Sequence, residues 1–179
     1  FLQIQEGVPV RLYAMYSCTT DGSKYKGANL NAGLLLNVLL YICLMPEQEQ
    51  VAEGKRIYFA SDFHFGIPDA IRSRERERRV CAWLDSISGD AQHLFLLGDL
   101  FDSWMEYKRV VPKGFIRFLG KLAELSDAGI GLSLFTGNHD LWVRDYFQTE
   151  LGARVFHEPQ SFFIQGKRFH IGHGDGVSP

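Results

Sequence analysis

The sequence predicts a layered α/β fold, in which short buried strands alternate with amphipathic helices along the chain. Two observations predict it. Short apolar runs bounded by glycine or polar residues are typical of buried strands. Between them, apolar residues recur at three- and four-residue spacing, which is typical of helices that pack by one face. The chain has 179 residues, of which 46% are hydrophobic, and this suits one domain with its own core.

Three single strands and one hairpin are predicted from the apolar runs. The single strands are residues 56–60, 93–97 and 131–135. The hairpin pairs residues 161–164 with residues 168–171 through a turn at Gln165 and Gly166. Because ligands in layered α/β folds bind at the carboxyl ends of strands, the residues that follow these runs are the candidates for a functional site.

Two helices are predicted between the strands. The first spans residues 71–87, and its charged run at 72–79 is expected to be a solvated face. Its inner face is expected to carry Val80, Trp83, Leu84 and Ile87. The second helix ends before Gly129, which sits where a helix stop is expected. Its apolar stripe consists of Phe115, Phe118, Leu119, Leu122 and Leu125.

Charge and cysteine content exclude several classes of protein. The net charge of −2 gives no general basic surplus, so nucleic acid is not an expected partner. The three cysteines, Cys18, Cys43 and Cys81, are far apart and odd in number. This argues against a disulfide framework and against a zinc–thiolate site. We therefore expect a reducing compartment, the cytoplasm.

Both ends of the chain are predicted to be cut. The chain starts at Phe1 and stops at Pro179, directly after a glycine-rich motif. The apolar run at 34–45 is shorter than the ~20 residues that span a bilayer, and a signal-peptide core is the alternative. We expect Met45 to be the natural start. Residues 1–44 would then be a non-native or disordered extension, and residues 45–179 a domain that is incomplete at its C-terminus.

Four polar clusters each follow a predicted strand. They are D-x-H at 62–64, G-D-x-x-D at 98–102, G-N-H-D at 137–140 and G-H-G-D at 172–175. Each cluster alone could be a turn or a helix cap. Together they predict a centre for two divalent cations, because paired cations can clamp a phosphate for in-line attack. The predicted ligands, whose oxygen and nitrogen atoms suit Mn²⁺, Fe or Zn²⁺, are Asp62, His64, Asp99, Asn138 and His173.

The four clusters resemble those of the calcineurin-like metallophosphoesterase family, over residues 55–179. The resemblance implies a layered β-sandwich flanked by helices. The surrounding segments YFASDFHFG, GDLFDSWMEYK, FTGNHDLWVRDYF and GHGDGVSP are similar to the members that act on UDP-2,3-diacylglucosamine in lipid A biosynthesis in Bacteroidetes-like bacteria. This similarity implies hydrolysis of the diphosphate with Mn²⁺, giving UMP and 2,3-diacylglucosamine 1-phosphate. It also implies a peripheral protein at the cytoplasmic face of the inner membrane.

The resemblance also implies a role for each ligand. Asp62 and His64 would bind the first metal, Asp99 would bridge, and Asn138 and His173 would bind the second. His139, held by Asp140, would be catalytic and stabilise the phosphate under attack. The family completes its site with a G-H-x-H-like pair, which is absent before Pro179, since His157 and His170 lack the spacing. This departure predicts a C-terminally truncated domain.

Residues around the clusters are expected to serve the substrate or to support the site. Trp104 and Trp142 are expected to form a wall of a lipid groove, with core packing as the alternative. Arg144, with Lys108 and Arg109, is expected to meet nucleotide phosphates or anionic headgroups, with solvated surface as the alternative. Asp102 is expected to orient a ligand or a turn, and His93 to be structural. Two other functions stay open, namely a nuclease or phosphodiesterase of the same superfamily and a non-catalytic, membrane-associated module.

Overall fold

The computed structural model describes residues 48–175. The expectations for segment 1–44, its apolar run, the start at Met45, Cys18 and Cys43 fall outside these residues. Along the described chain the elements alternate between strands and helices, as the sequence predicts. In chain order they are β1 (Gln48–Glu49), β2 (Arg56–Ala60), α1 (Ala70–Ile87), β3 (Ala91–Leu97), α2 (Ile116–Asp127), β4 (Gly131–Phe135), α3 (Tyr146–Leu151), β5 (Arg154–Phe156), β6 (Gln160–Ile164) and β7 (Lys167–Ile171).

The strands form two sheets. The larger has the order β2-β3-β4-β5, and all of its strands are parallel. The smaller has the order β1-β6-β7, in which β1 is parallel and β7 antiparallel to β6. The predicted α/β class, with a parallel sheet and helices, is thereby confirmed. In the larger sheet Ala60, Leu97 and Phe135 end neighbouring strands, so the loops that follow them leave from one edge.

The larger sheet is buried on both faces because strand residues alternate in direction. Leu94 and Leu96 of β3 pack with α1 and α2 residues in one hydrophobic cluster. Phe95 and Leu97, one step along, pack with residues of β6 and β7 in a second cluster. A strand that is buried on both faces carries a continuous apolar run. This is why residues 93–97 could be recognised as a strand.

Most predicted elements are confirmed with small changes of bounds. Residues 56–60 and 131–135 are strands as predicted, and the first helix starts one residue earlier, at Ala70. The elements that the sequence did not predict are β1, α3 and β5. Each is short, so it shows too little apolar periodicity to be recognised in the sequence. Such an element is stabilised mainly by its contacts with the rest of the fold. Among the described residues, no helix combines the length and apolar character that crossing a bilayer requires.

Helix α1 departs from the prediction at Glu77, within its charged run. Most of its charged run is exposed, but Glu77 is buried. The Glu77 carboxylate accepts hydrogen bonds from the backbone N–H groups of Arg117 (2.9 Å) and Phe118 (3.2 Å). Helix α2 starts there after Phe115, which supplies no side-chain cap. Glu77 therefore caps α2 from a neighbouring helix and fixes the two helices to each other.

Candidate metal centre

The loops that follow β2 and β3 lie side by side at the edge of the larger sheet. The Asp62 N–H donates to the Gly98 carbonyl (3.1 Å), and the His64 N–H donates to the Asp99 carbonyl (2.9 Å). The Phe65 N–H likewise donates to the Leu100 carbonyl, in the loop that follows β3 (the second loop; 3.0 Å). These bonds extend the pairing of β2 and β3 beyond the sheet. They bring the D-x-H cluster against Asp99.

Asp99 lies at the centre of the candidate site. Its Oδ2 lies 3.3 Å from Nε2 of His173 and 3.6 Å from Nε2 of His64. Nε2 of His64 in turn lies 3.9 Å from Oδ1 of Asp62. Two groups of donor atoms each lie within 4.8 Å, namely Asp62, Asp99 and His173, and His64, Asp99 and His139. Asp99 is therefore shared by both candidate groups of metal ligands.

His173 is oriented by the backbone of the neighbouring strand. Its Nδ1 donates to the Leu97 carbonyl oxygen over 2.8 Å. A carbonyl can only accept, so Nδ1 carries a proton in this bond, and Nε2, which faces Asp99, is the ring nitrogen that a metal could bind. Metal-binding histidines are typically held in this way by their second nitrogen. His173 therefore presents Nε2 as a candidate nitrogen ligand.

Three of the predicted ligands have left-handed backbone conformations. The φ angles are 59° at Asp62, 43° at His64 and 53° at Asp99. Such angles are uncommon for residues other than glycine and cost roughly 1 kcal/mol or more each. The surrounding hydrogen bonds enforce these conformations. Strained backbone of this kind is typical of functional sites.

Two glycines allow the clusters to approach. A Cβ atom at Gly137 would lie 2.6 Å from the backbone nitrogen of Asp99 and would also meet its carboxylate. A Cβ atom at Gly98 would lie 2.6 Å from the Gly137 nitrogen and 2.9 Å from Nδ1 of His173. The second and third clusters can therefore meet only because both positions lack a side chain.

Asp140 does not hold His139, contrary to the expectation. Its carboxylate is fully buried and accepts backbone N–H bonds from Gly137 (2.7 Å), Leu100 (2.8 Å) and Asp99 (3.3 Å). Burial raises the pKa of Asp140, although these bonds counteract the effect. With both oxygens committed to the backbone, Asp140 joins two loops, and its expected catalytic contact with the His139 ring is not formed.

The His139 ring is held by Asp102 instead. Nδ1 of His139 lies 3.0 Å from the Asp102 carbonyl oxygen and 3.4 Å from its carboxylate. The hydrogen bond to this carbonyl raises the pKa of His139, and nearby carboxylates add to the effect. The His139 backbone N–H meanwhile donates to Oδ1 of Asp99 (3.0 Å). The expected orienting role of Asp102 thus applies to the His139 ring.

Asn138 is exposed at the rim of this arrangement, between two residues whose N–H groups bond to Asp140 and Asp99. Its role as a ligand remains a prediction. His157 and His170 are exposed and belong to neither donor group. His170 lies in β7 as expected, where its Nδ1 is 3.3 Å from the Ser161 hydroxyl.

The sequence did not single out Arg76, which contacts the first loop. Its Nη1 donates to the carbonyl oxygens of His64 (2.7 Å), Phe63 (2.9 Å) and Ile67 (3.2 Å). Arg76 lies within the charged run that was expected to be solvated. Arg76 precedes Val80 of the predicted inner face by four residues, so both lie on the same side of the helix, and this spacing was a signal available in the sequence.

The two expected tryptophans differ in position. Trp104 is completely buried, its Nε1 donates to Oε1 of Glu106 (2.9 Å), and its ring packs on Phe101 and Phe147. The expected place of Trp104 in a groove wall is therefore wrong, because the side chain belongs to the core. Trp142 is 58% exposed and bridges to Met105, which is equally exposed. Arg144, Lys108 and Arg109 are also exposed.

Comparison with known proteins gives consistent relatives. The chain is 48% identical over 120 residues to the UDP-2,3-diacylglucosamine hydrolase of Porphyromonas gingivalis, which covers 67% of this chain and 46% of the relative. It is 27% identical to the hydrolase of the same name from Hahella chejuensis (66% of this chain, 47% of the relative) and 28% identical to that of Haemophilus influenzae (68% and 49%). No protein-family model matches.

The chain spans about half the length of the curated relatives it matches. The predicted resemblance is confirmed over that stretch, including the similarity to a protein from a Bacteroidetes member. Over two thirds of its own length, this chain is a sequence relative of the UDP-2,3-diacylglucosamine hydrolases.

Proposed function

We propose that this chain carries part of a dinuclear metal-dependent phosphoesterase of the pyrophosphatase type. The substrate would be UDP-2,3-diacylglucosamine, and hydrolysis would give UMP and 2,3-diacylglucosamine 1-phosphate in lipid A biosynthesis. The observation that carries the proposal is the Asp99 carboxylate, which belongs to two groups of potential metal ligands. The 48% identity with a hydrolase of this name supports the substrate. The two packed sheets flanked by helices support a metallophosphoesterase-type sandwich.

The residues fit a pair of divalent cations, most simply Mn²⁺. As the resemblance implies, Asp62 and His64 would hold one, His173 and Asn138 the other, and Asp99 both. In the structure the donor atoms group differently around the shared Asp99, with Asp62 beside His173 and His64 beside His139. The donors are carboxylate oxygens, an amide oxygen and imidazole nitrogens, a set that suits Mn²⁺. Nε2 of His173, which faces Asp99 while Nδ1 is bonded to a backbone carbonyl, supports the assignment. When bound, such cations act as Lewis acids and lower the pKa of water.

His139 and its partners would act on the phosphate. The raised pKa of His139 favours the imidazolium, which can donate a hydrogen bond to a phosphate oxygen as negative charge develops. Asp102 would keep the ring in place through Nδ1, so that Nε2 serves the substrate. Asp140 would keep the loop that follows β4 (the third loop) close to Asp99. We therefore assign the charge-stabilising role to His139 and a supporting role to Asp140.

The exposed residues near the site suit an amphipathic substrate. Met105 and Trp142 form an apolar pair, which follows Asp102 and Asp140 closely along the chain. Arg144 is a neighbouring exposed cation. We propose that the pair contacts acyl chains or the sugar face, and that Arg144 contacts phosphates or anionic headgroups. This surface would serve a peripheral protein at the cytoplasmic face of the inner membrane.

Product analysis tests the proposed function. The purified full-length protein that contains this chain is incubated with UDP-2,3-diacylglucosamine and Mn²⁺, and UMP release is followed by chromatography. Asp99→Asn should abolish release, whereas Asp127→Asn, at the exposed end of α2, should not change it. Metal bound to the unsubstituted full-length protein without UMP release contradicts the proposal.

Two companion measurements decide between the alternatives. Two Mn²⁺ ions per molecule are expected from metal analysis of the full-length protein, and no binding would favour a non-catalytic module. Salt-sensitive binding and degradation of DNA would favour a nuclease.

A further inference from the structure

We propose that Arg76 is a positioning residue that holds the first loop, residues 61–69, in the shape that Asp62 and His64 need to bind metal. The inference rests on the proposed function. Arg76 reaches from α1 to three carbonyl oxygens of this loop, those of Phe63, His64 and Ile67. It acts through the backbone, because its guanidinium bonds to carbonyl oxygens of the loop.

The loop needs such a partner because its carbonyl groups converge. Left-handed conformations at Asp62 and His64 turn the chain sharply, and three carbonyl oxygens then lie within 3.2 Å of one nitrogen, Nη1 of Arg76. Converging carbonyl dipoles repel each other unless a donor lies between them. A guanidinium satisfies them with charge-assisted hydrogen bonds, which are stronger than neutral ones. Without it, the loop would gain by relaxing toward ordinary backbone angles.

Helix α1 presents Arg76 from a fixed position. Glu77, the next residue, caps α2, while Val80 and Leu84 pack in the core. Ser73, one turn before Arg76, accepts a hydrogen bond from the Gly66 N–H (2.8 Å). Helix α1 therefore binds both kinds of backbone group of the loop. The Ser73 hydroxyl accepts from a loop N–H, and the Arg76 guanidinium donates to loop carbonyls.

The charged run supplies a matched control. Arg78 lies two residues further along α1 and is exposed. Arg76→Ala and Arg78→Ala remove the same side chain from the same helix. An effect of lost charge or of helix propensity should appear in both variants. An effect of the loop contacts should appear only in Arg76→Ala.

Hydrogen exchange tests whether Arg76 holds the loop. The N–H groups of His64 and Phe65 bond to carbonyls of the second loop and should be protected. Arg76→Ala should make these two amides exchange several-fold faster and leave those of β3 unchanged. Arg78→Ala should match the unsubstituted chain. Unchanged exchange at His64 and Phe65 in Arg76→Ala overturns the inference.

Calorimetric titration with Mn²⁺ tests the consequence for metal binding. Residues that orient ligands typically change metal affinity by about 10- to 100-fold, so Arg76→Ala should weaken binding by about this factor. The Mn²⁺ affinity of Arg76→Lys should lie between those of Arg76→Ala and the unsubstituted protein, because an ammonium keeps the charge and loses the planar guanidinium. The urea unfolding midpoint of each variant shows whether weaker Mn²⁺ binding comes from global loss of stability. Arg76→Lys should bind Mn²⁺ more weakly even if its midpoint is unchanged. If Arg76→Ala binds Mn²⁺ as tightly as the unsubstituted protein does, the inference is overturned.

Failure of the proposed function would look different. If the unsubstituted full-length protein binds no Mn²⁺, the dinuclear site is refuted. Exchange at His64 and Phe65 then decides alone whether Arg76 holds the loop.

Discussion

Nδ1 of His139 lies 3.0 Å from the carbonyl oxygen of Asp102, while the adjacent residue Asp140 makes its hydrogen bonds to backbone N–H groups of three other residues. The two carboxylates near His139 thus have separate tasks. Asp102 orients the ring, and Asp140 ties the third loop to the second. A G-N-H-D sequence suggests the opposite pairing, since the histidine and the aspartate are neighbours.

Asp102→Asn should lower the pKa of His139 without removing its upward shift. The first cause of the shift is the backbone hydrogen bond, which the substitution keeps, and the carboxylate adds a smaller effect. An NMR titration of the His139 ring measures the change. The alkaline limb of any UMP-release profile should move to lower pH, because the imidazolium would be lost earlier. A pKa equal to that of the unsubstituted protein would show that the Asp102 carboxylate has no effect on the ring.

Gly137→Ala should eliminate Mn²⁺ binding and lower the free energy of unfolding by about 1–3 kcal/mol. The added methyl group would meet the Asp99 backbone nitrogen and carboxylate, which cannot move without losing contact with His173. Gly120→Ala is the control, because a Cβ atom at this exposed position in α2 meets nothing within 4 Å. It should stabilise the protein by about 0.5–1 kcal/mol. Unchanged Mn²⁺ affinity in Gly137→Ala would disprove the close-approach explanation.

Substitution of the two tryptophans should separate stability from substrate binding. Trp104→Ala should cost about 3–5 kcal/mol in urea unfolding, because it opens a cavity in the core and leaves Glu106 without one partner. Trp142→Ala should change stability by less than about 0.5 kcal/mol, since the side chain is 58% exposed. It should instead raise KM for the lipid substrate. An equal stability loss in both variants would argue against this division.

His93 should make the described domain less stable in acid. Burial lowers its pKa from 6.5 to about 4. The unfolded chain therefore takes up a proton below about pH 6.5 that the folded chain does not, so stability falls as the pH drops toward about 4. At about 1.4 kcal/mol for each pH unit in this window, the full loss is roughly 3 kcal/mol.

Urea unfolding of His93→Gln across this pH range checks the prediction. The variant should lose stability less steeply than the unsubstituted protein, and exposed His170→Gln should not. Ser133, Glu49 and Arg154 surround the ring. Burial raises the pKa of Glu49, which acts in the opposite direction, so the variant and the unsubstituted protein are compared at each pH. Equal acid slopes would contradict the assignment.

The positions of the main strands and of the candidate ligands could be predicted from sequence because local signals coincide there. Strand β4 is a short apolar run that ends in a glycine-containing polar cluster, and both parts were recognised. Trp104 and Arg76 could not be placed, because each depends on a partner distant in the chain. Burial of Trp104 requires Phe147 across the core, and the role of Arg76 requires a loop in an unusual backbone conformation.

The left-handed angles at Asp62, His64 and Asp99 set a trade-off between stability and function. Glycine would adopt each angle without steric cost, so glycine substitutions would relieve strain of roughly 1–2 kcal/mol per position, less the entropy that glycine loses on folding. Each would also delete a candidate ligand. The sequence that folds most stably and the sequence that binds cations therefore differ at the same three positions. Selection for thermal stability alone would tend to erase this site from the protein.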